Sequence, residues 1–167
     1  MLKKIALIML CALPIGLFAQ EKLGHVNSQE IIKLMPELAS VEKTIDELGA
    51  QWEGELLKMR EEYNVKIKDY QEKQKDMADG IKQVRQSEIQ EMEQRIATFQ
   101  QTAYTDLQKK QQELVNPVIE KVRKAITDVA TENKFTYIFD MSSQVILYTA
   151  PNSNDITALV KKKLGLK

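Results

Sequence analysis

The stretch QEKQKDMADGIKQVRQSEIQ, Gln71 to Gln90, holds five apolar residues in twenty and has Asp79-Gly80 at its centre, with strong helix formers on both sides. Glycine in a helix interior costs about 1 kcal/mol relative to alanine, and Asp-Gly is a turn signal. Upstream of it, apolar residues run from Leu34 through Leu38, Val41, Ile45, Leu48, Trp52, Leu56, Met59, Tyr63 and Ile67 to Tyr70 in steps of three and four. That is one narrow stripe on a helix, with Glu, Lys, Gln and Asp between its members. Its early part alternates four and three like a heptad, and beyond Leu48 it drifts towards eleven-residue spacing, which relaxes a left-handed supercoil. Downstream a second stripe runs from Ile89 through Met92, Ile96, Phe99 and Ala103 to Leu107, and again from Leu114 to Val129. Neither stripe is wide enough to form a globular core, but each can cover the other. The pattern predicts a long antiparallel helical hairpin over residues 37–132, reversing near 77–86. Its first arm would be about 60 Å long at 1.5 Å per residue. A single unbroken coiled coil through Gly80 is the rival arrangement. Glu62/Lys66, Asp69/Lys73, Glu91/Arg95, Asp106/Lys110 and Glu120/Lys124 are spaced to pair on the wet face.

The two chain ends read differently. Lys22 to Asn27 is a short strand candidate with Leu23 and His25 on one face and Gly24 and Val26 on the other. Asn27 can cap the next helix, with Glu30 completing a capping-box pattern, and Pro36 suits the first turn of the long helix. Phe135 to Asp140 is strongly β-prone, Met141 to Gln144 makes a turn, and Val145 to Thr149 returns as a further strand. A last helix runs from Ile156 to Leu164. Pro117 should kink the second arm where it nears this part. The fold class is therefore α+β and mostly α: a hairpin projecting from a small β-rich body made of residues 20–36 and 133–167. So few short strands bury little alone, and self-association would supply the missing burial. Val26, Ile138, Val145 and Leu147 are the candidates for the oligomerisation body.

Residues 1–19 read as a secretory signal: Lys3 and Lys4, an apolar run from Ile5 to Phe18, and cleavage between Ala19 and Gln20. The run is short for a bilayer span, so no stable membrane anchor is expected. The residues before Cys11 lack the small side chains of a lipidation site. Cys11 is the one cysteine, so the processed chain has no thiol chemistry. Loss of Lys3 and Lys4 takes two from 24 basic residues set against 24 acidic ones, a balance that argues against nucleic-acid binding. With His25 as the sole histidine, no His/Cys metal set or Cys-His dyad can form. No Gly-rich phosphate loop is present. The carboxylates lie at helical spacing among lysines, as on a solvated face. The expectation is a protein that is not an enzyme and takes no cofactor.

The start LGHVNSQEIIKLMPE and the ending VIEKVRKAITDVATENKFTYIFDMSSQVILYTAPNSNDITALVKKKL resemble the Skp/OmpH-like periplasmic chaperones, with YIFD, VILY and NDIT in the family's order. The resemblance implies a periplasmic homotrimer. Each protomer would give strands to a common body and one hairpin as a tentacle around a cavity for unfolded outer-membrane β-barrel proteins, held without nucleotide. It places the thin stretch around Gly80 at a tentacle tip, which has no neighbour to bury against. Met77, Ile81, Val84 and Met92 are then candidate weak contacts to the client. The near-neutral charge departs from the basic members of the family and argues against lipopolysaccharide binding. The other reading of the same features is a structural periplasmic coiled-coil spacer or adaptor bridging envelope components.

Overall fold

The computed structural model describes residues 21–166. The chain enters through strand β1 (Leu23–Val26) and helix α1 (Ser28–Lys33). It runs out along α2 (Pro36–Lys73), turns, and comes back along α3 (Asp79–Glu132). It closes with strand β2 (Tyr137–Asp140) and helix α4 (Thr157–Lys163). Helix α2 starts where the sequence allows it, with extended Met35 before it and proline in its first turn. With 38 and 54 residues, α2 and α3 extend for about 57 and 81 Å.

The reversal falls on Gln74–Asp76, a single 3-10 turn, and on the extended residues Met77 and Ala78. It thus lies at the early margin of the range expected from the sequence. Gly80 belongs to the first turn of α3, and an added Cβ there would meet nothing within 4 Å. The left-handed conformation that favours glycine is not used at this position. Gly80→Ala is therefore expected to stabilise the hairpin by roughly 0.5–1 kcal/mol, seen as a raised urea midpoint. A lowered midpoint would mean that the turn needs the glycine after all.

Both stripes meet in the hairpin seam. Met92 is fully buried and Val41 nearly so, while Ile45, Leu48, Leu56, Phe99 and Leu107 are half-buried, as two helices without a third must leave them. Polar bonds close the outer half: Tyr63 Oη donates to Glu93 at 2.8 Å, and Gln86 Nε2 donates to Tyr70 Oη at 2.7 Å. Lys66 crosses to Glu88 at 3.5 Å. The bond to Glu93 pushes the Tyr63 phenol above its ordinary value. Of the intrahelical pairs expected, Asp69–Lys73 forms. Lys66 prefers the other helix, Lys110 reaches Glu113, Arg123 takes Glu120, and Lys124 reaches Asp128. Exposed pairs of this kind differ little in energy, so their choice among neighbours is weakly determined. Helix α3 passes through Pro117 without a break, its flanking Val118 and Val122 buried in the body.

In the body β1 and β2 pair in parallel, Leu23 opposite Tyr137 and Val26 opposite Asp140. The whole hairpin is the crossover that lets strands from opposite chain ends run the same way. The other edge of β1 is taken by the loop before α4: His25 N donates to Asn154 O, and Ile156 N to His25 O, both at 2.9 Å. Gly24 sits where these pieces converge, and a Cβ there would lie 2.8 Å from the Phe135 ring and 3.1 Å from Asn154 O. Under the sheet, Val26, Ile31, Val122, Ile156 and Val160 form the core that α1, α3 and α4 share. Asn27 caps α1 as its sequence suggests, accepting from Glu30 N at 3.1 Å. The reciprocal half of the capping box is absent. The Glu30 carboxylate pairs with Lys161, and Asn27 N donates to Thr157 Oγ1 at 3.0 Å.

The expected third strand does not form. Val145 to Thr149 has no ladder partner among the described residues and lies outside any strand or helix. The turn before it is held by Asp140, which accepts from Ser142 N at 3.0 Å, from Ser28 N at 3.2 Å and from Ser28 Oγ. Partial burial pushes this carboxyl up, but the bonds from Ser28 and Ser142 outweigh it and hold its pKa below the ordinary value. A pKa depressed by folding stabilises the body above the unfolded value of about 3.9 and is lost as pH falls through the folded value. Acid unfolding of the wild type should accordingly set in below about pH 4. Asp140→Asn should lower the neutral-pH thermal midpoint and flatten that acid limb. An unchanged acid limb would remove Asp140 from the account.

Candidate functional site

Two surfaces carry the residues singled out in the sequence. On the hairpin, Met77 is half-buried beside the reversal, and Ile81 and Val84 stand more than half exposed on the first turns of α3. Met92 does not join them. It is 2% exposed, and its Sδ accepts from Arg95 Nη2 at 3.0 Å. The reason was visible in the spacing, since Met92 continues the stripe between Ile89 and Ile96, and stripe positions face the opposite helix. The exposed apolar residues that stripe reasoning passes over are Leu57, Val65 and Tyr104. They fall off the stripes, and that position is the signal that could have found them.

Midway along the hairpin the seam opens on one flank into a groove of about 740 Å³. Trp52 and Met59 of α2 and Phe99 of α3 line it, with Glu91, Arg95 and Thr98 along its α3 side. The Trp52 and Phe99 rings meet edge to face, centroids 5.1 Å apart at 62°, a favoured aromatic geometry. Trp52 Nε1 is buried without a hydrogen-bond partner among the described residues, so the indole is not there to satisfy the seam.

On the body, strand alternation sorts the residues into two faces. Gly24, Val26, Ile138 and Asp140 turn inward; Leu23, His25, Tyr137 and Phe139 turn outward, in register across the pair. Val26 and Ile138 therefore belong to the inner face of the body, Val26 buried in the protomer's core and Ile138 half-buried against it. Val145 and Leu147 do lie on the surface, 75% and 96% exposed. Tyr148 is exposed as well and shares a groove with Phe139, whose ring stacks on Tyr137 at 6.4 Å. His25 Nε2 lies 2.9 Å from Ser153 Oγ, which ties the strand to the loop before α4. Ala19, Gln20 and Cys11 lie outside the described residues.

Among the described residues no cluster of His, Cys, Asp and Glu could hold a metal ion. No helix there is long and apolar enough to cross a membrane. What the molecule offers is a thin two-helix arm with apolar side chains left on its flanks, mounted on a body with an uncovered apolar face. That is the build of a protein that acts by surface contact.

The chain belongs to the OmpH-like outer membrane protein family, whose profile, described as Outer membrane protein (OmpH-like), matches residues 22–164. It is 24% identical over 163 residues to the chaperone protein Skp of Pectobacterium atrosepticum, covering 93% of this chain and 97% of that one. Its fold is also that of a crystal structure from Caulobacter crescentus described as an outer membrane chaperone (OmpH-like), with a TM-score of 0.72. The superposition covers 86% of this chain and 83% of the other at 16% identity, a likeness that speaks for the fold.

Proposed function

We propose that this protein is an ATP-independent holdase chaperone of the periplasm that keeps unfolded outer-membrane β-barrel proteins from aggregating. The observation that carries the reading is the hairpin surface. Leu57, Val65, Ile81, Val84 and Tyr104 are exposed singly along it, the first four set among charged residues and Tyr104 among glutamines and threonines. Isolated apolar contacts are individually weak, but several acting at once on one chain give avidity without a deep pocket. A client can then be held and still be released. Exported by its signal and cleaved between Ala19 and Gln20, the protein would act as a homotrimer. Trimerisation follows the family resemblance, and the apolar outer face of the body supplies a physical reason for association. Each hairpin would be one wall of the enclosure.

The test is capture. A urea-unfolded outer-membrane barrel diluted into the protein should co-elute with it in size exclusion, and a folded barrel should not. Elution of the barrel as free aggregate would refute the reading. Retention of one folded envelope protein in its place would favour the spacer. Because the chain is near neutral, the apparent affinity for the client should fall by less than about threefold between low and physiological salt. A steep loss would show that charge, and not apolar contact, captures the client.

A further inference from the structure

We propose that the groove at Trp52, Met59 and Phe99 is a subsite for an aromatic side chain carried on an extended polypeptide segment. The inference rests on the holdase reading for its client class and on the groove itself for the specificity. The floor is aromatic and soft. Two rings already in edge-to-face contact leave ring surface for a third, and the Met59 thioether adapts to whatever ring enters.

The mouth indicates a peptide. Glu91 and Arg95 are spaced to pair along α3, yet they form no ion pair. Arg95 donates to the weak acceptor Met92 Sδ, and Glu91 accepts from Ser87 Oγ at 3.3 Å. A guanidinium with five N–H donors and a carboxylate thus stand exposed one helical turn apart beside an apolar floor, neither neutralised by the other. An extended backbone offers both a carbonyl to the first and an N–H to the second. A lipid tail or detergent chain would make use of neither group.

The aromatic preference has a source in the client class as well. Transmembrane barrel strands alternate apolar and polar side chains and carry girdles of aromatic residues at both membrane interfaces. An unfolded barrel therefore presents rings at strand ends throughout its length. Val84 shares the flank of the groove, since 84, 91, 95, 98 and 102 recur along α3 in steps of seven, four, three and four. That flank is the one turned to the client.

Trp52 is the sole tryptophan of the chain, so its fluorescence reports on the groove directly. The full protein would be titrated with blocked nine-residue peptides alternating Thr with Phe, with the same peptides carrying Leu, and with dodecyl maltoside. Expected are a saturable change in Trp52 emission with the Phe peptide and binding roughly threefold to tenfold tighter than for the Leu peptide. Thr98→Phe, which fills the groove from an exposed position without touching the seam, should abolish the response while leaving the circular dichroism unchanged. Equal affinity for Phe and Leu peptides would overturn the proposal. So would tighter binding of the detergent, or a response that survives Thr98→Phe. Capture of an unfolded barrel is scored on the same protein. A silent Trp52 with the barrel captured would sink the subsite and leave the holdase reading standing, whereas a silent Trp52 with no capture would sink both.

Discussion

Leu147→Asp is expected to leave a folded monomer under conditions where the wild type forms the proposed assembly. Leu147 is 96% exposed within one chain, so removing it breaks almost no contact that holds the protomer together. The circular dichroism should therefore match the wild type. Its neighbours are what make it costly in an assembly. Tyr148 beside it in sequence, and Val145, Tyr137 and Phe139 on the same body, add further exposed apolar side chains, and among the described residues the outer edge of β2 carries no ladder partner. An uncovered edge beside an unpaired extended segment is a template for strand addition by a second chain. Burying one leucine is worth roughly 1.5–3 kcal/mol, and a carboxylate in its place adds a desolvation cost. The association constant should fall by at least about a hundredfold, measured by sedimentation velocity across a dilution series. A sedimentation coefficient equal to wild type would move the interface elsewhere.

Ile31→Ala should have the largest effect on the fold of the protomer. Ile31 is 0% exposed and sits in the core that α1 shares with α3 and α4. Truncating a buried isoleucine to alanine costs about 2–5 kcal/mol. The body is small, and α1, with six residues, has no stability of its own. The thermal midpoint should fall by roughly 5–15 °C. Leu57→Ala, on the exposed hairpin flank, should leave it where it is. A drop smaller than about 2 °C for Ile31→Ala would mean that this core is not what anchors the chain ends.

Much of the fold could be read from apolar spacing alone. The stripes from Leu38 to Tyr70 and from Ile89 to Leu107 meet in the seam, the continuation from Leu114 to Val129 runs into the body core, and the thin stretch between the stripes is where the chain turns. Local chemistry placed the Asn27 cap and the Pro36 helix start. Non-local partners were harder. Val145 to Thr149 has every local mark of a strand, yet a strand needs a neighbour, and the described residues supply none. The alternation in LGHV and YIFD defines two faces without saying which one α1 and α4 cover. Hence Val26 and Ile138 fell inside, and Leu23, Tyr137 and Phe139 outside. The same blindness affected the hairpin. Met92 is a candidate client contact by residue type, although its spacing puts it in the seam. The Trp52 groove depends on how far apart two helices sit midway along, which no periodicity records.

Light scattering on dilution of a urea-unfolded outer-membrane barrel tests the central claim most directly. With the processed protein present, scattering should be suppressed, reaching completion near one assembly per client and without added nucleotide. Aggregation that proceeds at the unassisted rate, while the protein itself is folded and self-associated, would contradict the account.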